Sequence, residues 1–267
     1  MTLSFAPIAD PTAPLARRNP VAKAGAALLF TLPLISTVDP FTPAAALVVE
    51  VLVLPFFGVR PGLLLRRAMP LLLSAAGILV TMILFAADRT GSLLLALGPI
   101  TVTTGVLSTA FALILRIFAI ALPGIVVFAT TDPTDLADAL VQNAKAPARF
   151  AIGALAAFRL IPLLGQEWRT LTLARRARGV DAGHNPLARL RLFASTAFAL
   201  LVGALRRGVR LAVAMDARGF DSGVPRTYAR RQRFTTPDTF LLASAFLTAL
   251  AIIAAAVFLG FFNPIVG

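Results

Sequence analysis

Long apolar runs broken by short polar stretches fill most of the first half of the chain. A helix needs roughly 20 mostly apolar residues to cross a bilayer core. Residues 68–87 form one clean run, and 240–262 form the cleanest of all. The run at 101–128 is longer than a crossing needs and carries Arg116 near its middle. Two shorter runs, 24–38 and 44–57, are separated by Asp39, Pro40 and Pro43. They predict a hairpin of two short or tilted helices, with one long kinked helix as the alternative. Five pairs place a capping side chain before a proline: Asn19-Pro20, Thr42-Pro43, Asp132-Pro133, Asn185-Pro186 and Thr236-Pro237. The cap accepts from a first-turn N–H, and proline at the first helical position lacks the donor that would go unused. Helices are therefore expected to begin near 20, 43, 133, 186 and 237.

Composition agrees with a membrane solvent. Hydrophobic residues make up 58% of the 267 and charged residues only 14%, too few to clothe a soluble domain, which carries nearer a quarter; the mean hydropathy is +0.86. There is no cysteine, which excludes disulfides and thiolate metal sites. The first 20 residues lack a basic region followed by an apolar one, so no cleavable signal is expected.

The net charge of +13 is unusual for so apolar a chain, and its distribution orients it. Arg17, Arg18 and Lys23 precede the first run, and Arg60, Arg66 and Arg67 lie between the second and third. The intervening turn has no base, and only Arg89, beside Asp88, follows the third run. Lys and Arg favour the cytoplasmic side, which predicts a cell-membrane protein with a cytoplasmic amino terminus and an external carboxyl terminus. The expected organisation is a cytoplasmic tail (1–19), four transmembrane helices (20–131), a cytoplasmic region (132–237) and a fifth transmembrane helix (238–267). The fold class is thus all-α and polytopic.

Residues 132–237 hold 17 Lys/Arg against seven acids, more than topology alone demands. Within them, 150–164 and 192–213 are apolar, but each contains arginine and is flanked by bases on both sides. They predict helices lying under the membrane or against a partner; a crossing by either is the competing reading. The region is expected to contain a short helix (133–144) and two long ones (147–179 and 186–219).

Those long helices end alike. One ends Ala174-Arg175-Arg176-Ala177-Arg178-Gly179-Val180-Asp181-Ala182-Gly183, and the other Ala214-Met215-Asp216-Ala217-Arg218-Gly219-Phe220-Asp221-Ser222-Gly223. Carboxyl-terminal capping accounts for Arg-Gly, because arginine complements the dipole and glycine adopts a left-handed conformation freely. It does not require the alanines, the aspartate or the second glycine. Docking uses them: alanines clear a helix face, and arginine projects a planar group with five donors. Two copies point to two equivalent docking sites, as on a dimeric partner.

This pair of motifs resembles the signature of the transmembrane T component of energy-coupling factor (ECF) transporters, a class of ABC importer for vitamins and transition-metal ions. Asn19-Pro20 with Lys23 is similar to that family's entry to its first helix. Thr130-Thr131-Asp132-Pro133 with Leu136 and Leu140 resembles the start of its coupling region, and Phe158-Arg159-Leu160-Ile161-Pro162 resembles its arginine–hydrophobic–proline element. Arg206-Arg207 through Gly219, then Arg226-Thr227, resemble the second signature and its follow-on, with Asp216 where glutamate is expected. The likeness covers residues 17–262. It implies a non-catalytic subunit bridging two ABC ATPase subunits and a membrane-embedded substrate-binding S component. Ala177, Arg178, Gly179, Ala217, Arg218 and Gly219 would dock on the ATPases, and ATP-driven closure would move the two helices and reorient the S component. No cofactor is implied, and the chain lacks a phosphate-binding G-x-x-x-x-G-K-[ST] run.

The remaining candidates are weaker. His184, the single histidine, sits in a helix-entry turn without thiolate partners, so no metal site is expected. Of Asp132, Asp135 and Asp138, the first-turn dipole accounts for the first two, and no second cluster faces the three, so catalysis is not expected. A charge inside a span is costly, so Arg116 is expected to pair with a carbonyl or with Glu50, the only acid of the second run, with transport gating as the other role. Frequent Phe and scarce Trp and Tyr do not favour nucleic-acid binding. The rival function is a polytopic enzyme acting on anionic lipid through the arginine-rich segment, which would need a nucleophile or converging carboxylates. A nonspecific basic scaffold is the third, and an ordered A-R-G duplication argues against it.

Overall fold

The computed structural model describes residues 13–37, 39–58, 61–86, 90–97, 100–181, 183, 185–220, 222 and 227–262. In chain order these form α1 (Pro20–Leu34), α2 (Phe41–Val53) with a 3-10 turn at Leu54–Phe57, α3 (Pro61–Phe85), a hairpin of β1 (Leu93–Leu97) and β2 (Ile100–Thr103), then α4 (Thr104–Thr130), α5 (Pro133–Gln142), α6 (Ala148–Ala177), α7 (Pro186–Ala217) and α8 (Thr236–Phe258). The protein is an all-α polytopic membrane protein, with one short antiparallel hairpin among the described residues.

Local chemistry sets most of these boundaries. The Asn19 side chain accepts from Val21 N at 3.0 Å, and Asn185 accepts from Leu187 N at 3.0 Å, each ahead of a proline that opens the helix. Asp132 Oδ1 accepts from Thr134 N at 2.7 Å at the start of α5, and Asp238 Oδ2 accepts from Thr235 N at 2.7 Å before α8. The start expected at 43 lies instead at Phe41. Asp39 is the reason, because its Oδ2 accepts from both Thr42 N and Thr42 Oγ1 at 2.7 Å. Helix α3 begins at Pro61, ahead of the expected 68, which brings Arg66 and Arg67 into the helix. Residues 101–103, expected to be helical, pair as a strand with β1, and Thr103 caps α4 by accepting from Val106 N at 3.4 Å.

Among the described residues, five helices are long and apolar enough to cross a membrane: Ala68–Phe85 within α3, and all of α4, α6, α7 and α8. This set differs from the expected one. Helices α1 and α2, with 15 and 13 residues, span only about 20 Å at ~1.5 Å per residue. Helices α6 and α7, expected to be cytoplasmic, reach a mean hydropathy of 1.5, against 2.3 to 2.5 for the other three; they are the least lipid-like of the five.

Two compact units divide the chain, one from 6–139 with 232–267, the other from 140–231. The larger is held by close helix contacts over small side chains. Ala46, Ala110, Ala119, Ala249 and Ala256 are fully buried, which lets backbones approach as membrane packing requires. A Cβ on Gly25 of α1 would sit 3.0 Å from Leu242 Cδ2 of α8. One core cluster joins Phe30, Leu34, Ala46, Ala119, Ala249 and Ile252; a second joins Leu15, Leu122 and Val126.

Polar ties fix the helix directions in this unit. Asn19 N donates to the buried Asp238 Oδ1 at 3.0 Å, so α1 and α8 start side by side and run parallel. Lys23 Nζ donates to Thr130 O at 2.8 Å, which puts the end of α4 at that same face. Phe41 and Phe261 stack with centroids 5.4 Å apart, setting the start of α2 beside the end of α8. The relative directions are those of a chain threading back and forth.

The smaller unit is built on α6 and α7, which pair in opposite directions. Arg149 at the start of α6 meets Asp216 at the end of α7, and Arg175 near the end of α6 meets Leu192, Ser195 and Thr196 near the start of α7.

Candidate functional site

Both long helices stop in the same backbone device. Helix α6 ends at Ala177, with Arg178 as its cap and Gly179 at φ +75°. Gly179 N donates to Arg176 O at 2.9 Å and Val180 N to Arg175 O at 2.9 Å. Helix α7 ends at Ala217, with Arg218 as its cap and Gly219 at φ +70°. There, Gly219 N donates to Asp216 O at 2.9 Å and Phe220 N to Met215 O at 3.2 Å. Each is a Schellman motif, in which a left-handed residue lets two donors reach back to carbonyls of the last turn. Capping thus accounts for the glycines and the main chain.

It does not account for the arginine side chains. Arg178 and Arg218 are exposed, as are Ala177, Gly179, Ala217 and Gly219. Neither guanidinium has a hydrogen-bond or ion-pair partner among the described residues. Nearby arginines differ sharply. Arg175 Nη1 donates to Thr196 Oγ1 at 2.7 Å and Leu192 O at 3.2 Å, and its Nη2 to Ser195 Oγ at 3.0 Å. Arg207 is hydrogen-bonded to Glu167, and Arg149 Nη2 lies 2.8 Å from Asp216 Oδ1. The helix pair therefore commits Arg149, Arg175 and Arg207 internally and leaves the motif arginines outward.

The two motifs are kept apart. Because α6 and α7 are antiparallel, the end of α6 lies beside residues 192–196, while the second motif is at 217–219. At ~1.5 Å per residue this separates them by roughly 35 Å along α7. Between the helices the fit rests on the polar ties and on Trp168 against Phe193, with centroids 5.1 Å apart. Helix α7 also carries an exposed stripe of Leu187, Leu190, Phe198, Leu201, Leu205 and Val209, at the spacing that lines one face.

The sequence signals for the internal ties were slender. Glu167 is the single acid of α6, and a lone acid in a basic helix has reason to be paired. Arg175 reads as one more base in a basic last turn.

Arg116 and Glu50 are not brought together. Arg116 Nη2 donates to Leu34 O at 3.1 Å and Ile35 O at 3.0 Å, capping the end of α1. Of the two expected pairings, the structure has the carbonyl one. Both Glu50 oxygens are buried without a partner among the described residues. Asp132 caps α5, and Asp135 accepts from Gln232 Nε2 at 3.4 Å. His184, Ala182, Asp221, Gly223 and Arg226, along with Arg60, Asp88 and Arg89, lie outside the described residues.

Comparison with known proteins adds an independent line. Residues 14–229 match the CbiQ family, described as cobalt transport protein. The chain is 31% identical over 254 residues to the energy-coupling factor transporter transmembrane protein EcfT of Bacillus selenitireducens, covering 89% of this chain and 91% of that one. It is 33% identical over 170 residues to the protein of that name in Limosilactobacillus fermentum, covering 61% of this chain and 64% of the relative. It is also 28% identical over 236 residues to a putative ABC transporter ATP-binding protein of Bifidobacterium longum, where the match takes in 85% of this chain but 30% of the relative. The chain thus spans nearly all of one of these relatives, just under two thirds of another and less than a third of the last.

Proposed function

The chain belongs to the CbiQ family of cobalt transport proteins, the T components of energy-coupling factor transporters, and on that premise we propose that it is the non-catalytic coupling subunit of an ECF-type importer. Arg178 and Arg218, with the alanine and glycine on either side of each, dock on two ABC ATPase subunits, one motif to each. ATP-driven closure of the ATPases displaces the two motif ends relative to one another. The α6–α7 pair transmits that displacement to a membrane-embedded S component, which holds the solute, a vitamin or a transition-metal ion. In this reading the amino terminus and the 132–237 region face the cytoplasm, and the carboxyl terminus faces outward.

One observation carries the proposal. Two helix ends share the Ala-Arg-Gly sequence and one backbone geometry, each presents an uncommitted guanidinium, and an antiparallel pair holds them roughly 35 Å apart. Capping alone needs neither the free guanidinium nor the match between ends. The arrangement suits two equivalent grooves on separate subunits. The Bifidobacterium relative supports an ATPase partner, because a region like this chain occurs there within a protein named for ATP binding.

The test is co-purification from native membranes in mild detergent, with partners identified by mass spectrometry. Recovery of ABC ATPase subunits and a small polytopic protein is expected, and the latter would point to the solute. The double variant Arg178→Ala/Arg218→Ala should lose the ATPases while still reaching the membrane. Isolation of the wild-type chain without an ATPase, together with an unaffected double variant, overturns the reading.

A further inference from the structure

A cavity of about 270 Å³ lies among α1, α2, α4 and α8 of the larger unit. That is close to the lower limit of ~300 Å³ usual for small-molecule sites. Its polar side chains are Lys23, Glu50, Ser244 and Thr248; the rest of the wall is apolar, with Phe30, Leu122, Val126 and Leu241 prominent. Three of the four polar groups are already engaged. Lys23 Nζ donates to Thr130 O at 2.8 Å, Ser244 Oγ to Leu241 O at 3.0 Å, and Thr248 Oγ1 to Ser244 O at 2.7 Å. Glu50 differs, because both its oxygens are buried and neither has a partner among the described residues.

A buried polar group without a partner bears its full desolvation cost, and an ionisable one inside a membrane unit is rarely idle. Transmission of movement between ATPases and an S component makes no use of it. We propose that this cavity binds the alkyl chain of a membrane lipid, with Glu50 hydrogen-bonded to the uncharged hydroxyl or ester group at the head of that chain.

Charge selects the ligand. Lys23 in the same wall repels an ammonium, and Glu50, buried with no cationic partner among the described residues, is best met by an uncharged hydroxyl or ester, which takes up its hydrogen bond without adding a charge. Depth agrees with this. Glu50 is three residues from the end of α2, and Lys23 is in the first turn of α1, beside the end of α4. Lys23 and Glu50 thus lie toward the helix ends, near the level of a lipid's glycerol region, and Phe30, Leu122 and Ala245 line the cavity further in. The neighbouring solvent is lipid, which supplies the occupant at high concentration.

The experiment uses the intact transporter complex purified in detergent and two photoreactive probes. One is a monoacylglycerol with a diazirine in mid-chain, the other a phosphatidylglycerol carrying the same chain. Crosslinks are expected on peptides containing Phe30, Leu122 or Val126, and unlabelled monoacylglycerol should compete with them. Labelling by the first probe alone identifies a single-chain lipid, and labelling by both identifies recognition of the chain on a diacyl lipid as well. Ala27→Phe and Ala245→Phe, which fill the cavity from different helices, should each cut labelling at least fivefold while the complex elutes unchanged. Glu50→Leu should weaken competition about fivefold, the loss of one neutral hydrogen bond, and Glu50→Gln should stay near wild type. Absence of competition in the wild type, or labelling of both filled variants at the wild-type level, overturns the site. Equal competition in Glu50→Leu and the wild type overturns the role of Glu50.

Discussion

Arg149 Nη2 lies 2.8 Å from Asp216 Oδ1, joining the first turn of α6 to the last turn of α7. Asp216 precedes Ala217-Arg218-Gly219, so the ion pair anchors the second Ala-Arg-Gly motif to the opposite end of the neighbouring helix. A glutamate is expected at this position from the family resemblance. The shorter aspartate still reaches Arg149.

Both partners are largely exposed, with side chains 47% and 64% accessible. Exposed pairs contribute ~0–1 kcal/mol. Arg149→Ala or Asp216→Ala should therefore leave thermal stability nearly unchanged, within ~0.5 kcal/mol. If the pair transmits displacement from the motif, solute uptake per ATP hydrolysed should fall in reconstituted vesicles. A large drop in melting temperature would show the pair to be structural instead.

Arg116 should behave in the opposite way. It bonds Leu34 O and Ile35 O at the end of α1, where helix carbonyls otherwise lack donors. Arg116→Leu removes a charge-assisted donor and leaves those carbonyls short, at a cost of ~2–3 kcal/mol. Arg116→Lys should restore only part of this, because an ammonium cannot reproduce the planar fork. Thermal melting of the detergent-purified chain checks the order: wild type, then Lys, then Leu.

Much of this was readable beforehand, and the reasons are local. Helix starts at Pro20, Pro133 and Pro186 follow from a capping side chain placed before a proline, which needs no knowledge of the fold. The motif ends were equally plain, since Arg-Gly after a long helix prescribes a left-handed cap. The hairpin before α4 was hidden because 101–103 continues an apolar run, although Ile100, Thr101, Val102 and Thr103 are all β-branched, a strand signal. The partners of Arg175 and Arg207 were out of reach. They depend on α6 and α7 running antiparallel in one register, which brings together residues 20 and 40 positions apart. Of the two partners considered for Arg116, choosing the carbonyl required knowing where α1 ends.

The capping glycines separate folding from docking. Gly179 at φ +75° and Gly219 at φ +70° occupy a region that alanine enters at a cost of ~1 kcal/mol. A Cβ on Gly179 meets nothing within 4 Å, whereas one on Gly219 would lie 3.4 Å from Ser222 Oγ. Gly179→Ala should thus cost stability mildly and Gly219→Ala slightly more. If the motifs dock, both should also weaken ATPase recovery in pull-downs, because a shifted cap re-aims the adjacent arginine.

Asp238 supports the sharpest prediction about stability. It is 2% exposed and accepts three hydrogen bonds: from Asn19 N at 3.0 Å, Thr235 N at 2.7 Å and Thr235 Oγ1 at 2.6 Å. Asn19 Nδ2 in turn donates to Arg233 O at 3.3 Å. These bonds set the starts of α1 and α8 side by side. Asp238→Ala strands the buried Asn19 N and removes the cap on α8, and should cost ~3 kcal/mol, because an unmet buried donor carries ~1–3 kcal/mol and a lost cap ~1 kcal/mol. Asp238→Asn keeps one carbonyl oxygen and should lose less. Asn19→Ala removes the α1 cap and the bond to Arg233 but spares the Asn19 N to Asp238 contact, so its cost should sit near ~1 kcal/mol. Chemical denaturation of the three variants tests this ranking, and an Asn19→Ala loss equal to that of Asp238→Ala would assign the joint to the Asn19 side chain instead.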